Sequence, residues 1–332
     1  MTGTSSAKQG KLALLVLAAG AALLLAPFLG TRFIAPSSVL PAASGAESRI
    51  FWSIRMPRVL LAFLVGSGLS VSGMVFQAMF RNPLATPFTL GVSSGASLGT
   101  AVYVRLGLSF SLLFIPGLTW FAFLGALLTI LIVYGIARAS RGFSAGNMLL
   151  SGVAVGLFFS SAILFIQYTS NFGDAYRILR WLMGGLETVG YGAVLNLLPL
   201  ILAGGAAVLY LSRELDLLTT GEELAASRGV NVDGTRKALF LITSLMVGAT
   251  VSVSGPIGFV GMMVPHICRI LIGSEHRFLA PAALLSGGVF LVLCDLLART
   301  VIAPAEVPVG IITALLGGPF FLWLLIRRWP DT

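Results

Sequence analysis

The sequence predicts an all-α polytopic membrane protein with about ten spans, and three observations carry that prediction. Of 332 residues, 57% are hydrophobic and 10% charged, with a mean hydropathy of +0.98, whereas soluble domains carry about 25% charged residues. Apolar runs recur along the whole chain, at roughly 12–30, 59–80, 88–106, 112–137, 146–168, 192–212, 237–254, 258–272, 279–298 and 308–326, and about 20 mostly apolar residues cross a bilayer. Glycine and proline interrupt the later runs, above all in GPIGFVGMMVPHICR at Gly255–Arg269. Lipid cannot hydrogen-bond a freed backbone group, so such breaks survive only inside protein or beside a wet cavity. They therefore point to a transport path.

A single transmembrane domain, 1–332, is expected. Its first run follows Lys8 and Lys11 and is long for a signal peptide, and Gly30-Thr31-Arg32-Phe33 offers no small-residue cleavage site. A retained helix starting in the cytoplasm fits better. Ten spans then return the C-terminus to the cytoplasmic side of a prokaryotic inner membrane. Thirteen basic residues fall on inner segments and eight on outer ones, in the sense of the positive-inside rule. The basic residues are dispersed, so a pI of 10.3 speaks for orientation and contact with anionic lipid rather than for nucleic acid.

At the mouth of the second span stands Arg55-Met56-Pro57-Arg58, where proline suits a helix start. The two arginines either anchor the helix end at the interface or receive a partner's carboxylates, which arginine grips bidentately. After the polar turn Arg81–Pro87, glycines at 91, 95 and 99 form a double GxxxG that allows close helix approach. A short basic loop, Arg138–Asn147, separates the fourth and fifth runs, and Thr169–Gly190 is long enough for a short interfacial helix with Trp181 at headgroup depth.

The most polar stretch, SRELDLLTTGEELAASRGVNVDGTRK within about 212–237, divides the chain. Thr220-Gly221-Glu222-Glu223 reads as a helix start with acid in its first turn, and Gly229 as its end. Such a helix is either solvated or plugged into a soluble partner. In the ninth run, Asp295 and Arg299 share a helix face and pair, Asp295 as a proton relay being the second reading. Pro304–Gly310 and Gly317-Gly318-Pro319 form a second cluster of breaks.

Several chemistries are excluded. Lys8, Lys11 and Lys237 are the only lysines and none precedes Ser or Thr, so no phosphate loop of the GxxxxGK[ST] kind exists. Cys268 and Cys294 lie in apolar runs without CxxC spacing. His266 and His276 stand ten apart with no carboxylate cluster, a poor metal-ligand spacing. No enzyme activity, bound cofactor or metal is expected of this chain.

The chain resembles the permease subunits of type II ABC importers, the family that carries iron–siderophores, haem and cobalamin. The likeness rests on Arg55-Met56-Pro57-Arg58, Gln77 with Arg81-Asn82-Pro83-Leu84-Ala85, Leu90-Gly91, Trp181-Leu182-Met183-Gly184-Gly185, Gly221-Glu222-Glu223 through Val232, Gly258-Phe259-Val260-Gly261, Val264-Pro265-His266, Arg269, Asp295 with Ala298-Arg299, and Glu306-Val307-Pro308-Val309-Gly310. It implies a homodimer around one path, two ATPase subunits carrying ATP–Mg, and a periplasmic or lipoprotein substrate-binding protein. It implies docking roles for Arg55, Arg58 and Arg299, and an ATPase-coupling helix involving Gly221, Glu222, Glu223, Ala226, Gly229 and Val230. It also implies an inner gate at Ser144, Ala145, Gly146 and Asn147, and a pathway lined by Leu149, Ser151, Val155, Phe159 and Gln167. Ala145-Gly146 stands where the cobalamin members carry threonine–serine. The ligand stays open among siderophore, haem and cobalamin. The alternative is an ion-gradient-driven secondary transporter, which leaves the polar central loop unexplained.

Overall fold

A computed structural model describes residues 5–39, 45–86, 88–139 and 145–326. In order they form α1 (Ser5–Leu25), α2 (Ala46–Ile50), α3 (Met56–Phe80), α4 (Val92–Arg105), a hairpin of β1 (Ser111–Leu112) and β2 (Ile115–Pro116), α5 (Gly117–Ala139), α6 (Ala145–Tyr168), α7 (Phe172–Leu182), α8 (Gly192–Tyr210), α9 (Ser212–Thr220), α10 (Glu222–Ser227), α11 (Val232–Ser254), α12 (Val260–Ile272), α13 (His276–Thr300) and α14 (Val309–Ile326). Each of the ten apolar runs carries a helix. Among the described residues, seven helical segments are long and apolar enough to cross a membrane unaided, and α4, α12 and α14 are the shorter ones.

Three boundaries differ from the sequence expectation. The second helix does not begin near Pro57 but runs back to Ala46 through a π-helical turn, Phe51–Arg55. Proline has no N–H to donate, and the wider turn just before it carries the chain past that gap. The third helix is shortened by turns that end at Gly91, whose φ of +71° caps α4. The fourth starts at Gly117 because residues 111–116 fold into the hairpin, with Leu113 and Phe114 at positive φ.

Helix α3 is the axis of the bundle. Nearly every residue from Pro57 to Phe80 is buried, packed by α8, α11, α12 and α13. In lipid, helices associate through close van der Waals packing rather than hydrophobic exclusion, so small residues set the contacts. A methyl group added at Gly73 would fall on the Gly261 carbonyl of α12, and one at Gly66 on the Gly287 carbonyl of α13. The GxxxG face of α4 meets α5 in the same way, Gly95 against Gly125 and Gly99 against Phe121. Backbone cannot move aside as a side chain can. Gly73→Val is therefore expected to cost about 3 kcal/mol or more, read as a lower melting temperature and loss of monodisperse protein in detergent; a melt like that of the unaltered protein would show that α3 and α12 do not pack this closely.

Candidate functional site

Proline inside α12 sets the first polar feature. Pro265 donates nothing to the carbonyl of Gly261 four residues earlier. The Gln77 amide of α3 supplies the missing donor, with Nε2 3.2 Å from the carbonyls of Gly261 and Met262. Its other end, Oε1, accepts from Arg269 Nη1 at 2.5 Å. Gln77 and Arg269 thus form one satisfied unit between α3 and α12, a pairing invisible in the sequence. His266 lies edge-on to the Phe320 ring, and among the described residues no group of three His, Cys, Asp or Glu side chains could hold a metal.

Three breaks in the helices converge at the end of the bundle away from the start of α1. Gly184 after α7 and Gly255 after α11 both take positive φ. The freed backbone is re-bonded across them: Gly185 N–H donates to the Ser254 carbonyl at 2.8 Å and Gly310 N–H to the Gly184 carbonyl at 3.3 Å. This is how non-helical chain is tolerated at membrane depth. Beside the breaks opens a cleft of about 640 Å³ lined by Arg58, Tyr176, Arg180, Glu187, Ser254 and Glu306, among others. Arg180 and Glu187 form an ion pair at 2.5 Å, both largely exposed. The hydrogen bond that Arg180 donates to the Glu187 carboxylate raises the Arg180 pKa above its ordinary value.

Arg58 is buried at the edge of this cleft. Its Nε donates to Asp295 at 2.9 Å and its Nη1 to Glu306 at 2.7 Å. Asp295, wholly buried, lies between two guanidinium groups, because Arg299 Nε is 3.0 Å from its other carboxylate oxygen while hydrogen-bonding the Asp295 carbonyl at 3.3 Å. The Asp295–Arg299 pair foreseen from their spacing is present, and Asp295 is enclosed between two arginines. Arg55 does not share this network. It donates to the carbonyls of Pro27, Phe28 and Arg32, so it fastens the turn after α1. Of the three arginines with an expected docking role, two are buried and ion-paired within the chain and the third is engaged by backbone. Glu306, quoted above only as part of a motif, is the residue that sequence reasoning missed. An acid flanked by prolines in an apolar region was the available signal.

The opposite end carries α9 and α10. Gly221, at φ +127°, separates them, and Gly229, at φ +84°, follows α10, as the sequence suggested. Ala225 is fully buried and seats the helix, while Glu223, Leu224, Ala226 and Ser227 face outward. The Val230 N–H closes back onto the Ala225 carbonyl at 3.1 Å. Glu222 is tied to the buried Arg236 of α11 at 2.6 Å. Asp216 of α9 accepts from the backbone N–H of His276 at 3.0 Å and lies 2.6 Å from its ring Nδ1, at the start of α13. The pair of short helices is thereby braced against two long ones, α10 on α11 and α9 on α13.

Of the expected gate, Ser144 lies outside the described residues, Ala145 begins α6, and Gly146 and Asn147 are exposed in its first turn. Of the expected lining, Ser151, Val155 and Phe159 are turned into the chain's own interior, with Ser151 Oγ donating to the Met148 carbonyl at 3.0 Å. Leu149 and Gln167 are half-buried. The open face of α6 is the other one, with Leu150, Val153, Leu157, Phe158, Leu164 and Phe165. An all-round apolar helix gives no period from which to choose between its faces.

The FecCD transport family matches residues 14–327. The hemin transport system permease protein HmuU of Yersinia pestis is 40% identical over 316 residues, covering 95% of this chain and 93% of that one. The cobalamin import system permease protein BtuC of Halobacterium salinarum is 42% identical over 279 residues, 84% of this chain and 74% of that one. A solved structure described as an inward-facing conformation of a metal-chelate type ABC transporter superposes with a TM-score of 0.86 at 31% identity, covering 96% of this chain and 99% of that one.

Proposed function

We propose, since this chain belongs to the FecCD transport family, that it is the membrane permease of an ATP-driven importer for a bulky chelate-type ligand: a ferric siderophore, haem or cobalamin. ATP is bound and hydrolysed on separate subunits. The observation that carries this reading is the pairing of two specialised ends on one apolar bundle. One end presents α10 as a braced, exposed helix. The other gathers three helix breaks, a cleft and the arginines.

On this reading the α10 end is cytoplasmic, and Leu224, Ala226 and their exposed neighbours sit in a groove of the ATPase. Movement there passes through Glu222–Arg236 to α11 and through Asp216–His276 to α13. Helix α11 ends at Ser254, just before the break at Gly255, so displacement at one end reaches the backbone of the other. A second copy of the chain completes the path, and the exposed apolar face of α6 is its wall. A substrate-binding protein docks over the arginine end, where Arg58 and Arg299 are the nearest buried cations and Arg55 holds the rim. ATP shifts the equilibrium only because the ATPase contact differs between the two states. The ion-gradient alternative loses its best residue, since Asp295 is held by two arginines.

The test is transport in proteoliposomes holding the permease with its ATPase and binding protein, offered haem, cobalamin and a ferric siderophore in turn. Uptake of one of them only with ATP and the ATPase is expected. Uptake driven by a proton or sodium gradient without the ATPase would overturn the assignment.

A further inference from the structure

The arginine end is charge-balanced in an uneven way. Arg58 and Arg299 share Asp295, which is fully buried and touches both. The fourth member, Glu306, is different: its side chain is 43% exposed and, among the described residues, its one ion pair is with Arg58, through Nη1. Glu306 is also placed outside the helices, in the segment between α13 and α14. That segment is pinned just beyond it, by Val307 N–H on the Ala298 carbonyl at 3.0 Å and by Gly310 N–H on Gly184. If Glu306 swings away, Arg58 keeps Asp295, but the group of four is left with one uncompensated positive charge and a vacated guanidinium edge facing the cleft. A buried cation without a full partner is costly, so such a swing needs another carboxylate to arrive.

We propose that Glu306 is an internal stand-in for a carboxylate of the docking protein. A glutamate or aspartate of the substrate-binding protein takes its place on Arg58, and the Glu306 side chain swings out while the backbone beyond it stays pinned at Val307 and Gly310. Docking is then an exchange of one carboxylate for another, not the neutralisation of a free arginine. The exchange makes docking report on the cleft, because Arg58 and Glu306 both line it. Planar, bidentate recognition by guanidinium selects a carboxylate rather than a hydroxyl or amide as the incoming group. The inference rests on the docking reading given above.

The experiment measures the affinity of the substrate-binding protein for the assembled, nucleotide-free permease–ATPase complex, choosing the binding protein that stimulates its ATPase. Glu306→Gln removes the competitor and is expected to tighten binding by about fivefold, the worth of an exposed ion pair. Arg58→Gln is expected to weaken binding, with Asp295 still paired to Arg299. In the Arg58→Gln background the gain from Glu306→Gln should vanish, because there is no longer an edge to expose. If R58Q does not assemble, Arg58→Met serves as the background, keeping the length of the stem and losing the charge. Unchanged or weaker binding of E306Q overturns the exchange, and so does an equal gain in the Arg58-substituted background, which would mean simple repulsion. Affinity indifferent to Arg58 removes the docking reading itself, and with it this proposal.

Discussion

Replacing Asp295 by Asn is expected to destabilise the folded protein by about 3–5 kcal/mol, the usual cost of stripping one partner from a buried ion pair. The shape of the side chain is kept and only its charge is lost. Of Arg58 and Arg299, both buried, Arg58 would then keep the half-exposed Glu306. Arg299 would be left with the Asp295 backbone carbonyl as its neighbour. The measurement is a thermal melt of the purified protein in detergent. The double variant Asp295→Asn with Arg299→Gln restores neutrality and should recover part of the loss, because the two side chains are directly coupled. A melt of D295N indistinguishable from the starting protein would mean that the buried charges are not balanced as described.

A proline at position 226 is expected to abolish coupled transport, lowering ATP-driven uptake by at least about tenfold, while leaving the permease folded. Ala226 lies late in α10, a helix of six residues. Proline there removes the N–H that would reach the Glu222 carbonyl and clashes with that carbonyl, at about 3 kcal/mol. So short a helix has no turns to spare. Ala226 itself is exposed, so the core does not feel the substitution. Ala226→Ser controls for position, and a melting temperature near that of the starting protein controls for folding. Uptake at the original rate through A226P would remove α10 from the coupling role.

Which parts of this were legible beforehand follows from where the signal lies. Composition and run length decided that the chain crosses a membrane, since about 20 apolar residues have few other uses. The helix breaks around Gly255–Gly258 and Pro304–Pro308 were legible because glycine and proline act locally. So was α10, whose glycines and acidic first turn mark its ends without reference to any neighbour. The Asp295–Arg299 pair was legible because a spacing of four is fixed by helix geometry.

Other features needed the tertiary structure. Arg58 finds Asp295 and Glu306 at separations of 237 and 248 residues, and Arg269 finds Gln77 across 192. No local period encodes such partners. Helix α6 shows the same limit in another form. Both of its faces are apolar, the one packed into the chain and the one left open, so the inward turn of Ser151, Val155 and Phe159 could not be read from hydrophobicity. The sequence by itself determined an all-α membrane bundle, the positions of its breaks and the exposed helix at one end. Only the tertiary structure decided which buried charges balance one another and which helix faces look outward. The physical reason is that lipid removes the contrast between apolar and polar faces that guides such a reading in water, and leaves packing and charge pairing to settle the arrangement.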